Sequence, residues 1–399
     1  MTKVSIVKAN AKSSYQEILD AVNRAFDLIG GIQDIIKEGD LVLINPSWVA
    51  PPVEREAGCI TIPEIPRAIA DIVKSLKARP VIAESSAVGV DTDKVIQGSG
   101  YAELRDRGYE VINLKKTPWV NLPLENGKVF QEMPCWELVQ QADVIISVPK
   151  LKTHDQTEMT CAIKNLKGLQ TDNGKRADHQ EGLFESVVDL LATIKPHLAV
   201  VDATICQEGL GPIFGRPVEM NLILAGKDLV AVDSTCARLI GYEPEETLLT
   251  VNAAARGLGV MDPDQIEIVG EALEKVQRRF LRAAEDKPVE VEGFQMIHGE
   301  ITCTGCRNTV MSALNDMRNA DQLMYLPGVT VVTGDAELPE GVPREDIVTV
   351  GKCVPKENRT ERHVNGCPPN NAWVVKAIIG GRAEVKRMYA DESLEKTEQ

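Results

Sequence analysis

The sequence lacks several features that would place it in familiar classes of protein. Its 399 residues carry 44 Lys and Arg against 59 Asp and Glu, and the net charge of -15 argues against a general nucleic-acid or anionic-membrane binder. No apolar run approaches the about 18 residues of a membrane span. The N-terminal stretch MTKVSIVKANAKSS lacks the apolar core of a signal peptide. We therefore expect a cytoplasmic protein whose partners include neither nucleic acid nor membrane.

Two further patterns are missing. The chain has nine cysteines, and the scatter of five of them disfavours a disulfide framework. A complete Gly-x-Gly-x-x-Gly fingerprint is also absent, which argues against a nicotinamide cofactor and leaves flavin open. The remaining composition, with 43% hydrophobic and 26% charged residues, is typical of a soluble globular protein.

Alternating apolar runs and amphipathic segments predict the fold class. Asp143–Val148 and Leu198–Val201 are continuous apolar runs, as expected of strands buried on both faces of a parallel sheet. Apolar residues at helical spacing predict helices over Tyr15–Leu28 and from Ile65 to Leu76. We therefore predict an α/β protein with a layered, mostly parallel sheet and a second, smaller α/β or α+β domain that bears cysteines.

The boundary between the domains is predicted from composition. Residues 272–290, ALEKVQRRFLRAAEDKPVE, look like a charged helix that leads into an exposed connection. We expect a large domain over residues 1–285, a cysteine domain over 290–385 and a polar tail over 386–399.

Four cysteines in the last hundred residues have the spacing of metal ligands, and they are Cys303, Cys306, Cys353 and Cys367. The first two lie between a predicted strand and a predicted helix, where backbone N–H groups can face the thiolates. Cys353 follows a strand, and Cys367 precedes two prolines and a helix. Three strand-end loops would then present four soft ligands, the usual complement of a 4Fe–4S cluster.

Two alternatives to the cluster stay open. Structural zinc also takes four cysteines, although zinc ribbons usually bring two Cys-x-x-Cys knuckles and this chain has one. The four cysteines could also be unrelated buried residues. The stretch Gly366–Pro369 resembles the last cluster ligand in the small cluster-bearing subunit of quinone-reducing respiratory complexes and hydrogenases. Those subunits carry adjacent cysteines where this chain has a spaced pair.

A second signal is the segment from Ser147 to Gly168, SVPKLKTHDQTEMTCAIKNLKG. It begins at the end of a predicted buried strand, where open α/β sheets bind ligands. Its basic residues are Lys150, Lys152, His154, Lys164 and Lys167. Clustered cations in an acidic chain predict a site for an anionic small molecule, such as a phosphate or carboxylate. The alternative is a solvated basic face.

Residue types suggest roles at this site. His154 could donate or accept a proton among the cations, and carboxylates after strands, such as Glu84 and Glu208, could act as general acid or base or form ion pairs. The candidate catalytic residues are His154, Lys150, Lys164 and Glu208. The candidate ligand-binding residues are Lys152, Thr153, Asn165, Lys167, Gly168 and Glu84. His179 is predicted on a mobile loop that could close over a ligand.

The segment Pro149–Gly168 resembles the signature of the domain-of-unknown-function 362 family, in which Pro-x-Leu-Lys-Thr-His precedes Lys-Asn-x-x-Gly. Four further blocks fit the family in order, and they are Gly39–Pro46, Gly98–Tyr101, Asp202–Gly215 and Asp228–Asp233. The resemblance spans roughly residues 3–270 and brings no settled reaction. It implies an appended iron–sulfur module, although the cysteines here do not follow the closely spaced run of bacterial ferredoxins.

Two functions follow from these signals. The first is a redox enzyme or electron-transfer protein, in which an anionic substrate binds the lysine-rich segment, the cluster exchanges single electrons and a redox protein is a partner. The second is a non-redox protein that binds a metabolite or assists cofactor assembly, with a structural or sensory cluster or structural zinc. The sequence names no substrate.

Overall fold

A computed structural model describes residues 1–124, 126–286 and 289–385 of the chain. The predicted polar tail over residues 386–399 lies outside the described residues. The strands are Thr2–Lys8 (β1), Leu41–Pro46 (β2), Arg79–Glu84 (β3), Val111–Asn113 (β4), Trp119–Pro123 (β5), Glu132–Trp136 (β6), Val144–Val148 (β7), Lys150–His154 (β8), Glu158–Thr160 (β9), Leu198–Glu208 (β10), Arg216–Gly226 (β11), Ile266–Gly270 (β12), Gln295–His298 (β13), Thr330–Thr333 (β14) and Ile347–Val350 (β15).

The α-helices of the described residues lie between these strands and at the end of the chain. They are Tyr15–Leu28 (α1), Glu64–Ser75 (α2), Thr92–Gly98 (α3), Tyr101–Asp106 (α4), Glu137–Gln141 (α5), Ala162–Asn165 (α6), Asp172–Glu181 (α7), Leu183–Ile194 (α8), Leu229–Leu239 (α9), Leu248–Ala255 (α10), Leu273–Val276 (α11), Thr304–Asn319 (α12) and Asn371–Ile379 (α13).

The large sheet confirms the predicted α/β class. Its main path runs β12-β1-β11-β10-β7-β2-β3-β4, with β8 and β9 attached beside β10. Six of its nine strand pairings are parallel. The exceptions are the pairs β1–β11, β10–β11 and β8–β9. The sheet is therefore mixed and mostly parallel.

Helices cover both faces of this sheet and bury its apolar strands. Helix α1 begins at a capping box, in which the Ser14 side chain accepts from the Glu17 N–H and the Glu17 carboxylate accepts from Ser14. Its apolar side, which includes Val22 and Phe26, lies in the core against one face of the sheet. Helix α8 packs on the opposite face, where Val187 and Leu190 are fully buried. This layering explains why β7 is buried at every position.

A separate small parallel sheet, β13-β14-β15, lies near the C-terminal end of the described chain. Helices α12 and α13 pack against it, and Val310, Leu314 and Val374 are buried in its core. This confirms a smaller α/β unit, as the sequence predicts. A separate apolar contact of Leu210, Ala283 and Met311 joins α12 to the large domain.

The prediction of a charged helix over residues 272–290 is wrong for most of that segment. Among the residues of this segment that the structure describes, 272–286 and 289–290, helical structure is limited to α11 and a short 3-10 turn at Ala283–Glu285. The backbone N–H groups of Arg278 and Phe280 donate instead to Leu239 and Ile240, each at 2.9 Å, and the Phe280 side chain is fully buried. Packing of one aromatic side chain outweighs the local helical propensity here.

Candidate functional site

A cavity of about 190 Å³ lies at the carboxyl ends of the central parallel strands. Strands β2 and β7 pair with Asn45 opposite Ser147, so their ends lie at one edge of the sheet. Ser47 follows β2, Glu84 ends β3, and β8 begins two residues after β7. Open α/β sheets bind ligands at this edge, which is where the sequence places the lysine-rich segment.

The cavity collects most of the residues that the sequence singles out. Its predicted wall residues are Glu84, Lys152, His154, Lys164, Asn165, Lys167 and Gly168. The cysteine-bearing unit contributes Ser312, Asp316, Asn370 and Asn371 to the same wall. An apolar part of the wall is formed by Val49, Val88, Ile213 and Phe214. The site therefore lies between the large sheet and the small domain.

Three predicted residues lie elsewhere in the described structure. The Lys150 ammonium is fully buried 2.8 Å from the Asp202 carboxylate, so it forms an internal ion pair. Alternation along β8 turns Thr153 away from Lys152, and the Thr153 hydroxyl donates to the Gly209 carbonyl at 2.8 Å. Roles for Lys150 and Thr153 in direct ligand contact are therefore not supported.

Glu208 is also outside the cavity wall. Strand β10 continues for 11 residues from Leu198 and carries Glu208 beyond the site. Its carboxylate accepts from the Leu281 N–H at 3.0 Å and lies 3.8 Å from Arg278. Glu208 therefore anchors the segment that leads towards the small domain, and its predicted catalytic role is not supported.

Three of the cavity lysines are held by fixed partners. Lys152 Nζ donates to the Cys59 carbonyl at 2.6 Å, and Lys167 Nζ lies 2.6 Å from the buried Asp178 carboxylate. Lys175 Nζ donates to the Ser86 carbonyl at 2.7 Å. Burial lowers the pKa of Lys152 and that of Lys175 to about 8. Lys152, Lys167 and Lys175 are therefore held in place, and we refer to them as the cavity floor.

Lys164 differs from those three. Its side chain is partly exposed to the cavity, and within the described part of the chain it has no hydrogen bond or ion pair. Burial, with the positive charge of Lys167 as the next cause, lowers the pKa of Lys164 to about 7. A lysine in this state can be an ammonium or an amine near neutral pH, so it can bind an anion or accept a proton.

His154 belongs to a chain of hydrogen bonds that crosses to the small domain. Its Nδ1 lies 2.8 Å from Asp155 Oδ1, and the Ser312 hydroxyl donates to Asp155 Oδ2. The Gln156 N–H donates to Asp155 Oδ1 at 2.8 Å, and its nitrogen is also 3.0 Å from His154 Nδ1. We assign the ring proton to Nδ1, because the carboxylate is the stronger acceptor for it.

The consequence for His154 is a neutral ring with an unprotonated Nε2. Burial, followed by the charge of Lys164, lowers the pKa of His154 to about 4. A neutral imidazole whose Nδ1–H is held by a carboxylate presents Nε2 as a base. The arrangement supports proton transfer by His154, although it rests on Asp155 and Ser312, which the sequence did not single out.

Glu84 and Gly168 form the opposite wall. The Trp48 N–H donates to Glu84 Oε2 at 2.7 Å, and burial raises the pKa of Glu84 to about 8. At neutral pH this carboxyl is protonated and can donate a proton. A Cβ at Gly168 would lie 2.6 Å from Glu84 Oε1, so only glycine allows this close approach.

The prediction that His179 lies on a mobile loop is wrong. The residues around it form helix α7, which begins where the Thr171 side chain accepts from the Gly174 N–H. Lys175 and His179 both face the cavity from this helix. Their spacing of i, i+4 puts them on one helical face, and that spacing is the sequence signal that could have revealed them.

The cysteine site begins at the N-terminus of α12. Cys303 caps this helix and Cys306 lies in its first turn. A hydrogen bond from Cys306, then backbone N–H groups that include that of Gly305, lower the pKa of the Cys303 thiol to about 6. The predicted meeting of thiolates with a helix N-terminus is therefore present.

The other two cysteines approach this pair from separate loops. A Cβ at Gly351 would lie 2.8 Å from the Cys306 sulfur. The Lys352 N–H donates to the Gly366 carbonyl at 2.9 Å, which joins the loop of Cys353 to the loop of Cys367. Cys303 and Cys353 are exposed, and Cys306 is buried. Among residues 1–124, 126–286 and 289–385, no three His, Cys, Asp or Glu side chains are arranged to hold one metal ion.

His179 connects the two sites directly. Its ring lines the cavity, and its carbonyl accepts from the Cys367 N–H at 2.8 Å. Its Nδ1 lies 3.2 Å from the Pro368 carbonyl. A Cβ at Gly366, where φ is +145°, would lie 2.7 Å from the His179 carbonyl, so this contact requires glycine.

Helix α12 provides a second connection. Cys306 and Ser312 are six residues apart on it, which is about 9 Å along a helix axis. Gln156, next to the His154–Asp155 pair, donates to Thr309 of the same helix at 2.6 Å. One rigid helix thus carries two of the four cysteines and a group that orients the cavity histidine.

Comparison with known proteins supports the family resemblance for part of the chain. Residues 42–238 match the family described as Domain of unknown function (DUF362), so the chain contains that domain. A thylakoid-associated protein, sll1697, from Synechocystis sp. (strain ATCC 27184 / PCC 6803 / Kazusa) is 28% identical over 265 residues, which are 63% of this chain and 79% of that protein.

The similarity of the chain to a solved structure is weaker than these sequence matches. The lactate racemase apoprotein from Thermoanaerobacterium thermosaccharolyticum aligns over 84% of this chain and 69% of its own, with 13% identity and a TM-score of 0.37. We draw no functional argument from a likeness at that level.

Proposed function

We propose that the protein is a redox-linked enzyme that binds a small anionic substrate in the cavity and a 4Fe–4S cluster at the four cysteines. Cys303, Cys306, Cys353 and Cys367 would hold the cluster. When bound, the cluster would supply or accept single electrons. The observation that carries the proposal is His179, which lines the cavity and also binds the backbone of the Cys367 loop.

The spacing of the cysteines along the chain supports a cluster over a single zinc ion, because zinc ribbons usually bring two Cys-x-x-Cys knuckles and this chain has one. Zinc–sulfur bonds of about 2.3 Å would require four sulfurs packed around one point. A four-iron cluster gives each thiolate its own iron, so it accepts sulfurs that stand farther apart. Cys303 and Cys306 lie at the N-terminus of α12, and Cys353 and Cys367 lie on two separate loops. A hydrogen bond with Cys303 and burial, followed by the charges of Cys303, Cys367 and Cys353, raise the pKa of Cys306.

The cavity residues support binding of an anion and transfer of protons. Lys152, Lys164 and Lys167 offer positive charge to the same space. His154 can accept a proton at Nε2, and Glu84 can donate one. A site with a base, an acid and fixed cations can bind, orient and protonate a small carboxylate or phosphate while the small domain covers it.

The proposal is tested by electron paramagnetic resonance of the anaerobically reduced protein. We expect a reducible 4Fe–4S signal whose line shape or midpoint potential changes when a substrate-like anion, acetate or inorganic phosphate, is added. In Lys164→Met, which removes one cavity cation, we expect the signal without its response to the anion. A reducible signal that ignores every anion bound by the protein would contradict the link between the sites.

A second function is favoured by the position of α12. Because this helix supplies Ser312 and Asp316 to the cavity wall, a metal centre at its N-terminus could organise the cavity without exchanging electrons. The protein would then be a metabolite-binding or cofactor-assembly protein with a structural or sensory cluster, or with zinc. A centre that is not reduced at any accessible potential, together with intact anion binding, would favour this function.

We also propose a redox partner protein and a cytoplasmic location. Cys303 and Cys353 are exposed residues, so a partner protein could reach the edge of the cysteine site. None of the helices in the described ranges has the length and apolar content that crossing a bilayer takes. The Synechocystis relative is called thylakoid-associated, so cell fractionation of the present protein is the appropriate test.

A further inference from the structure

The four lysines along the described cavity wall fall into two groups. Lys152, Lys167 and Lys175 each donate to a protein oxygen, at 2.6, 2.6 and 2.7 Å respectively. Lys164 has no such contact within the described ranges and points into the same space. Because the other three lysines are hydrogen-bonded to protein oxygens and Lys164 is not, Lys164 is the candidate nucleophile of the cavity.

We propose that Lys164 forms a Schiff base with the carbonyl group of a small 2-oxo carboxylate bound in the cavity. This inference rests on the cavity being the ligand site of the proposed function. It does not depend on which metal the cysteines hold or on electron transfer.

A nucleophilic lysine needs an unprotonated nitrogen whose lone pair is not shared. An ion pair would favour the protonated form of the nitrogen, and Lys164 lacks a carboxylate contact of the kind that Lys167 has with Asp178 at 2.6 Å. Burial and the nearby charge of Lys167 lower the pKa of Lys164 to about 7, so about half of its side chains are amines at neutral pH. An ordinary exposed lysine has roughly a thousandth of its side chains in that form.

The neighbouring lysines suit the carboxylate of the same ligand. Lys152 uses two of its three N–H donors, on the Ser47 hydroxyl and the Cys59 carbonyl. Lys167 also uses two, on Asp178 and on the Lys175 carbonyl. Each keeps one donor for a carboxylate oxygen. Val88 and Ile213 supply an apolar wall for a short side chain.

The covalent step needs no further reactant. The Nζ lone pair of Lys164 forms a bond to the carbonyl carbon while the C=O π pair moves to oxygen. That oxygen leaves as water with two protons, and the nitrogen keeps one. Overall, the ammonium and the carbonyl give an iminium and water, so charge and atoms balance. His154 and Glu84 line the same cavity and can relay the protons.

The test is reductive trapping with pyruvate. The full-length protein is incubated with pyruvate and cyanoborohydride near pH 7, and modified lysines are located by peptide mass spectrometry. We expect at least about ten times more adduct on Lys164, which is about half amine near pH 7, than on Lys8, Lys77 or Lys116, which lie on the surface in contact with carboxylates. Lys164→Arg keeps the charge and should lose the adduct, with pyruvate binding still measurable by calorimetry.

The other outcomes separate this inference from the proposed function. Pyruvate that binds with no adduct at Lys164, or an adduct spread equally over exposed lysines, overturns the Schiff base and leaves the anion site in place. The Schiff base is also overturned if neither pyruvate nor glyoxylate binds to the protein or reacts with it. If inorganic phosphate fails to bind as well, the cavity is not an anion site and the proposed function fails with it.

Discussion

The floor of the cavity and the cysteine site satisfy their polar groups in different ways. On the cavity floor, Lys167 and Lys175 are buried and held by carboxylates or carbonyls of the large domain. At the cysteine site, the hydrogen bonds of Cys303 come from Cys306 and from backbone N–H groups. The first region is stabilised by long-range pairs within the protein, and the second has the soft, partly exposed donors that a metal centre would bind.

Because of this difference, substitutions on the cavity floor should mainly affect folding, and substitutions at the cysteine site should mainly affect function. A charge removed from the cavity floor leaves its partner buried and unpaired, so the cost falls on stability. A thiol removed from the cysteine site leaves the large sheet and its core unchanged, so the cost falls on the bound centre. Lys164 is the exception on the floor, because its loss leaves no partner behind.

The largest expected effect is loss of the metal centre in Cys306→Ser. Cys306 is the buried cysteine of the four and lies against Gly351, so its replacement removes the innermost ligand. We expect iron content to fall to background, measured by metal analysis after anaerobic purification. Cys135→Ala, which changes a cysteine in β6, is the matched control and should keep its iron. Equal iron in both variants would contradict the ligand assignment.

The next effect is on stability, from breaking buried pairs. Asp178→Asn should lower the free energy of unfolding by about 3 kcal/mol, because the Lys167 charge stays buried without its counter-ion. Lys150→Met should act similarly through Asp202. Denaturant unfolding monitored by circular dichroism measures both. A loss below about 1 kcal/mol, which is typical of exposed pairs, would show that these two ion pairs do not stabilise the fold as buried pairs do.

A pH-dependent effect is expected at Glu84. The folded protein holds its proton up to about pH 8, while the unfolded chain loses it near 4.5, so this group destabilises the fold increasingly as pH rises between those values. Glu84→Gln cannot ionise. Its stability relative to the parent protein should rise across that window, by at most about 1.4 kcal/mol per pH unit. A difference that is flat with pH would contradict the burial of an ionisable Glu84.

At His154 we expect the opposite pH dependence, with stability falling as the pH is lowered. Its folded pKa of about 4 lies below the ordinary value of 6.5, so the unfolded state gains the proton first as pH falls through that range. The parent protein should therefore lose stability between pH 6.5 and 4, and His154→Gln should lose less. Both titrations can be followed by thermal unfolding in one buffer series.

The smallest effect is expected at an exposed pair between the two parts of the molecule. Lys352 Nζ lies 2.9 Å from Glu181, and both side chains are substantially exposed. Lys352→Ala should change stability by less than about 1 kcal/mol, because solvent and salt screen such pairs. A larger loss, together with loss of anion binding, would show that docking of the small domain depends on this contact.

Much of the fold could be predicted from the sequence, because apolar periodicity reports local structure. Helix α1 lies at the predicted residues, and strand β7 lies within the predicted run Asp143–Val148. The antiparallel pairing of β1 with β11 was not predicted, since it joins residues as distant as Val4 and Gly226 and leaves no local pattern in the sequence. The segment around Phe280 was assigned to a helix, because the sequence does not show that its aromatic side chain is buried against another helix.

The site was predicted only in part, because the sequence shows which residues are neighbours along the chain and not which residues the fold brings together. Lys152, His154, Lys164 and Lys167 lie close together in the sequence and meet in the cavity. Lys150 carries the same charge and is next to them, yet it pairs with Asp202, which only the fold brings near. Ser312 orients Asp155 from more than 150 residues away. Its contribution depends on the docking of two domains, which no sequence motif encodes.

The presence of a 4Fe–4S cluster at the four cysteines can be tested by analysis of metal and acid-labile sulfide in anaerobically purified protein. We expect about four irons and about four sulfides per chain, with a brown colour that bleaches on reduction. One zinc per chain in a colourless protein, with no iron or sulfide, would contradict it.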